Sequence, residues 1–170
     1  MNTDKLLAYF NEVFSDLENS ILLFDEHWFN QIPFEGSWTP GQVVQHIKLS
    51  AGGFVHVLTG EVATTKRPID ERVQLLKDIF LNFQSKMKSP DFINPPMDNY
   101  DKEQHLAEIG TIKRDIAKEI PALDLSKTCL SFELPKIGHL TRLEAIYFVI
   151  FHTQRHVQQL KNIHQFLKLS

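Results

Sequence analysis

GHLTRLEAIYFVIFHTQRHVQQL, residues 138–160, decides the architecture. Thr141 and Glu144 stand three apart at its head, the spacing of a capping box in which each side chain satisfies the other's backbone N–H. After them Leu143, Ile146, Val149, Ile150, Val157, Leu160, Ile163 and Leu167 recur at three- and four-residue spacing. One face of a helix running to about Leu167 is therefore apolar. Such a face has to be buried against other elements. His152 and His156 fall at one margin of that arc, one turn apart, and point inward with it.

A second block, WTPGQVVQHI at residues 38–47, predicts the clearest helix start in the chain. Thr39 caps, Pro40 takes the first helical position, and Gln42 completes a capping box. This helix is expected to reach about Leu58, with Gly60 as its stop. Two further helices are read from apolar stripes. One spans about Thr3 to His27. The other spans about Asn99 to Ile120, with Asp98 as cap and Pro121 as terminator. Residues 60–98 hold Pro68, Pro90, Pro95 and Pro96 and read poorly. Glu71 to Phe80 suits a short helix there, and Cys129-Leu130-Ser131-Phe132 suits a short extended piece. The expected class is all-α, a four-helix bundle with a long crossover between helices two and three.

Two imidazoles facing a core raise a cost. An unpartnered buried polar group is unfavourable by roughly 1–3 kcal/mol. A shared metal ion relieves it, because histidines four apart on a helix offer two nitrogens to one site. A hydrogen-bonded core pair relieves it as well, and the spacing alone does not choose. A third ligand has to come from another helix, and His46 is the candidate. It lies at the margin of the arc drawn by Val43, Val44, Ile47, Ala51, Phe54 and Leu58, on the side of Ser50 and Gly53. Small residues there leave volume for the vacant coordination position of a catalytic site. His56 falls on the other side of that helix. His27, His105, His139 and His164 read as surface residues.

The 170 residues suit one domain, 1–170, and 42% hydrophobic content is enough for one core. A net charge of −3 with no basic run argues against nucleic acid as a partner. Asp4, Lys5 and Glu12 interrupt the N-terminal apolar residues, so no signal peptide is read. No stretch approaches the roughly 18 apolar residues of a membrane span. Cys129 is the single cysteine and reads as a small packed residue. A cytoplasmic protein is expected.

Both blocks resemble the DinB-like (DinB/YfiT) superfamily. The stretch from Trp38 to Ile47 is similar to its second-helix pattern. The stretch from Gly138 to Leu160 is similar to its last helix, with a Gly-x-x-Thr-x-x-Glu start, a His-x-x-x-His pair and a Gln soon after. The resemblance implies an up-down-down-up bundle. It also implies a divalent metal, zinc or nickel, held at His46, His152 and His156. It implies either a low-molecular-weight-thiol S-transferase or a hydrolase, with a small-molecule substrate, and homodimers are common in the family.

Three neutral imidazoles leave the charge of a metal uncompensated, so bound water or thiol is acidified. The ligands do not choose between hydrolysis and thiol transfer. Gln159 is read as a partner that orients His156 or as a surface residue. Glu35 reads as a solvated loop carboxylate, Glu144 as a cap, and Trp38 as a staple at the helix start. The competing function is a non-catalytic metal- or small-ligand-binding helical module. Structural zinc sites usually take four protein ligands, and only three histidines are visible.

Overall fold

A computed structural model describes residues 2–169. It is mostly helical and carries a small three-stranded sheet. Helix α1, Thr3–Ile21, starts where Asn2 accepts from the Lys5 N–H at 3.2 Å. It buries Leu6, Phe10, Val13, Phe14, Leu17 and Ile21. The expected continuation to His27 does not occur. Asp25 instead accepts from the Trp28 N–H at 2.7 Å and opens the short helix α2, Glu26–Phe29. A new cap has to interrupt the ladder that precedes it.

Helix α3, Pro40–Ala51, has the expected capping box, with both Thr39–Gln42 hydrogen bonds at 3.0 Å. The single helix expected to Leu58 is broken at Gly52 and Gly53, and α4 follows as Phe54–Thr59. A Cβ at Gly52 would stand 2.7 Å from the Lys48 carbonyl oxygen, so the break admits no side chain there. Strand β1, Val62–Ala63, and helix α5, Val73–Phe80, come next. A 3₁₀ turn at Asp91–Ile93 is the regular piece of the segment between α5 and α6.

Helix α6, Lys102–Ala122, begins later than expected and is capped by Asp101, which accepts from the Gln104 N–H at 2.8 Å. The Asn30 side chain explains the delay. It accepts from the Tyr100 N–H at 2.7 Å and donates to the Tyr100 carbonyl at 2.9 Å, holding that residue out of the helix. Pro121 lies inside the last turn rather than ending the helix. Strand β2, Thr128–Leu134, contains the expected extended piece, and β3 is Gly138–Thr141. The sheet order is β1-β2-β3, antiparallel throughout, with Val62 opposite Cys129 and Thr128 opposite Thr141. Lys136 and Gly138 take positive φ at the hairpin turn, the backbone region such turns demand.

Helix α7, Arg142–Leu169, carries the second capping box. The Thr141 N–H donates to Glu144 at 2.9 Å, and the Glu144 N–H donates to Thr141 at 3.1 Å. Glu144 is fully buried and also accepts two bonds of 2.6 Å from Arg67 and one of 2.8 Å from the Arg72 N–H. It therefore ties the crossover to the head of α7, beyond the capping role read from sequence. Helices α1 and α3 each pack on both α6 and α7, and α5 packs on α7. Among the described residues, no helix is long and apolar enough to cross a membrane.

Candidate metal centre

His46 on α3 and His152 and His156 on α7 meet in the interior, each under a tenth exposed. The amphipathic arcs place them there: both helices turn their apolar faces to one core, and the histidines ride at the margins that face each other. The Nε2 atoms converge. That of His152 lies 3.1 Å from His46 Nε2 and 3.2 Å from His156 Nε2.

The other ring nitrogens decide the protonation. His46 Nδ1 donates to the Ile93 carbonyl at 2.8 Å. His156 Nδ1 donates to Gln159 Oε1 at 2.8 Å. Ser50 gives its own proton to the Ile47 carbonyl at 3.0 Å, so its oxygen is free to accept from His152 Nδ1 at 3.3 Å. Each imidazole thus keeps its proton on Nδ1 and turns an Nε2 lone pair inward. Burial, the largest cause, pushes all three below the ordinary 6.5. His46 is lowered, His152 well lowered, and His156 falls to about 3. Repulsion from the neighbouring imidazoles and from Arg155 adds to this at His152 and His156.

Three lone pairs at this distance with no proton between them repel. A cation resolves the conflict. Two nitrogens on one tetrahedral zinc, each ~2.0–2.1 Å from it, are ~3.3–3.4 Å apart. The observed 3.1 and 3.2 Å are close to that. The donor set and its spacing therefore fit a divalent metal held by imidazole.

Aromatic rings surround the cluster. Trp38 lies against His46 at 5.2 Å between centroids. Phe148 stacks on His152 and Phe80 meets it edge-on, both at 5.7 Å. No carboxylate is hydrogen-bonded or ion-paired to the three rings among the described residues. Glu35 is exposed on its loop. Cys129 is fully buried in β2, where burial pushes its thiol up despite the nearby Arg142.

Of the residues read as neighbours of the site, Ser50 and Gln159 touch the histidines. Gly53 sits in the break between α3 and α4, where a Cβ would meet nothing within 4 Å. Sequence reading missed Ile93 and Ser89, whose hydroxyl lies 3.4 Å from His46 Nδ1. Ile93 contributes a main-chain oxygen, which leaves no trace in residue type. His105 corrects the surface reading. It is 5% exposed, its Nδ1 donates to the Asp101 carbonyl at 2.9 Å, and its Nε2 is buried without a partner.

The family model described as the DinB superfamily matches residues 3–160. The uncharacterized protein YuaE of Bacillus subtilis (strain 168) is 23% identical over 157 residues, covering 92% of this chain and 96% of its own. No solved structure matches.

Proposed function

Because the chain belongs to the DinB superfamily, we propose that it is a metal-dependent enzyme holding zinc or nickel on His46, His152 and His156. The observation that carries this is the convergence of three inward Nε2 lone pairs, each fixed by an acceptor on Nδ1. The packing of α1 and α3 on both α6 and α7 supports a four-helix bundle of up-down-down-up connectivity around the site, with residues 60–101 as the crossover.

When bound, such an ion supplies Lewis acidity, which makes water or a thiol at the fourth position nucleophilic at neutral pH. The chain's own residues do the rest. The three imidazoles donate neutral nitrogen and leave the ion's charge uncompensated. Ile93, Gln159 and Ser50 hold the rings in register. Trp38, Phe80 and Phe148 exclude water from their flanks. The reaction is either hydrolysis or transfer to a low-molecular-weight thiol, on a small-molecule substrate, in a cytoplasmic protein that forms homodimers.

The absence of a carboxylate on the rings, among the described residues, favours a second reading, a non-catalytic metal- or small-ligand-binding module. Elemental analysis of protein purified without a metal-binding tag tests the site. About one zinc or nickel per chain supports it, and a His46→Ala variant that keeps its metal rejects the ligand assignment. A panel of electrophiles offered with different thiols then separates the activities. Consumption that requires thiol indicates transfer, thiol-independent turnover indicates hydrolysis, and no turnover with a loaded site favours the binding module.

A further inference from the structure

Arg155 lies on α7 between the two inward histidines, and its hydrogen bonds go to main-chain carbonyls. Nη1 donates to the Phe80 oxygen at 3.3 Å and the Asn82 oxygen at 2.9 Å, and Nη2 donates to the Ser85 oxygen. No carboxylate pairs with it among the described residues. Phe80 is the last residue of α5, where carbonyls lack helical partners and a cation is favoured. Arg155 therefore closes the end of α5 and fixes the path of the chain that leaves it.

That chain is a strap laid over the metal centre. It begins at Phe80, whose ring meets His152. It passes Ser89 and then Ile93, whose carbonyl takes the His46 Nδ1 proton. The Pro95 and Pro96 carbonyls then accept from Gln42 Nε2 at 3.4 and 3.3 Å, one turn before His46 on α3. Between the Ser85 and Ile93 carbonyls, no helix or strand supports the strap except the 3₁₀ turn at its far end. Its placement depends on what pins it at each side.

We infer that Arg155 is a positioning residue for the metal centre. By pinning residues 80–85 it holds the strap so that the Ile93 carbonyl fixes the orientation and tautomer of His46. The inference rests on the metal-binding reading above. The planar fork of arginine reaches three carbonyls at once, which the single ammonium of lysine does not reproduce. Groups that orient ligating histidines commonly contribute 10- to 100-fold in metal affinity. Coupling is reciprocal, so an ion on the histidines also steadies the strap.

The test compares wild type, Arg155→Lys, Arg155→Gln and His46→Ala by competition for zinc against a chromophoric chelator, with cobalt spectra and circular dichroism alongside. Wild type is expected to bind one zinc and His46→Ala to lose it. Both Arg155 variants are expected to keep wild-type helicity, bind about ten-fold or more weakly, and show shifted cobalt ligand-field bands. Wild-type affinity and bands in both variants would overturn the role of Arg155 while leaving the metal site standing. A wild type that binds no zinc would remove both.

Should the variants misfold, trypsin on wild type decides, because Lys86 and Lys88 are exposed in the strap. Zinc is expected to slow cleavage there several-fold relative to Lys168, three turns beyond His156. Equal slowing at all three lysines, or none, would overturn the inference.

Discussion

Acid should destabilise the metal-free protein through the histidine cluster, and His156 sets the size of the effect. Burial holds its folded pKa at about 3, against 6.5 when exposed. The unfolded chain therefore takes up this proton first. Stability from His156 is complete above pH 6.5, declines as pH falls below it, and is fully lost only near pH 3. At pH 5.0 the unfolded state is favoured by a factor of about 30 from this group alone, or about 2 kcal/mol. At pH 7.5 the same group contributes almost nothing to the difference. With a urea slope of about 2 kcal/mol per molar for a chain of this size, that is a midpoint shift of about 1 M. The assay is urea unfolding by circular dichroism with a metal chelator present, at both pH values, for wild type and His156→Gln. Wild type is expected to lose about 1 M more than the variant on going to pH 5.0. His46 and His152 are lowered too, so the variant keeps part of the slope. Equal losses in the two proteins would refute the buried, neutral state of His156.

Glu144→Ala should cost about 3–5 kcal/mol, because it leaves Arg67 and two backbone N–H groups without their acceptor. At about 2–4 °C per kcal/mol, a thermal melt should fall by roughly 6–20 °C; a drop under about 3 °C would contradict the buried pair. Gln159→Leu should lower the melt of the metal-free protein by about 2–12 °C, because His156 Nδ1 loses its acceptor at a cost of about 1–3 kcal/mol, and it should weaken zinc binding about 10- to 100-fold by chelator competition. Unchanged affinity would show that the contact to His156 is incidental. His105→Phe should hold or raise stability, by about 1 kcal/mol, since it removes an orphaned buried nitrogen and keeps the ring contacts to Phe29 and Tyr100. A lower urea midpoint at neutral pH would mean that Nε2 has a partner after all.

What could be read from the sequence was local and periodic. The capping boxes at Thr39–Gln42 and Thr141–Glu144 are i,i+3 pairs. The meeting of His46 with His152 and His156 follows from two amphipathic arcs that face one core. What escaped was non-local or carried by the main chain. The β1–β2 pairing joins residues more than sixty apart in sequence, and a strand of two residues carries no periodic signal. Ile93 acts through its carbonyl. The burial of His105 comes from the Tyr100 and Phe29 rings brought by other segments. One local sign reads differently in the structure: Gly53, expected as a small residue beside His46, stands with Gly52 at the break between α3 and α4. Asn30 holding Tyr100 is likewise a contact across seventy residues, and it moved the start of α6 from Asn99 to Lys102.

X-ray absorption at the zinc edge of the loaded protein tests the central claim most directly. The account predicts three imidazole nitrogens and one further light atom that exchanges with added anion or thiol, the last appearing as a sulfur scatterer when thiol is supplied. A fourth ligand from the protein that added thiol does not displace, or fewer than three imidazoles, would contradict an open three-histidine centre.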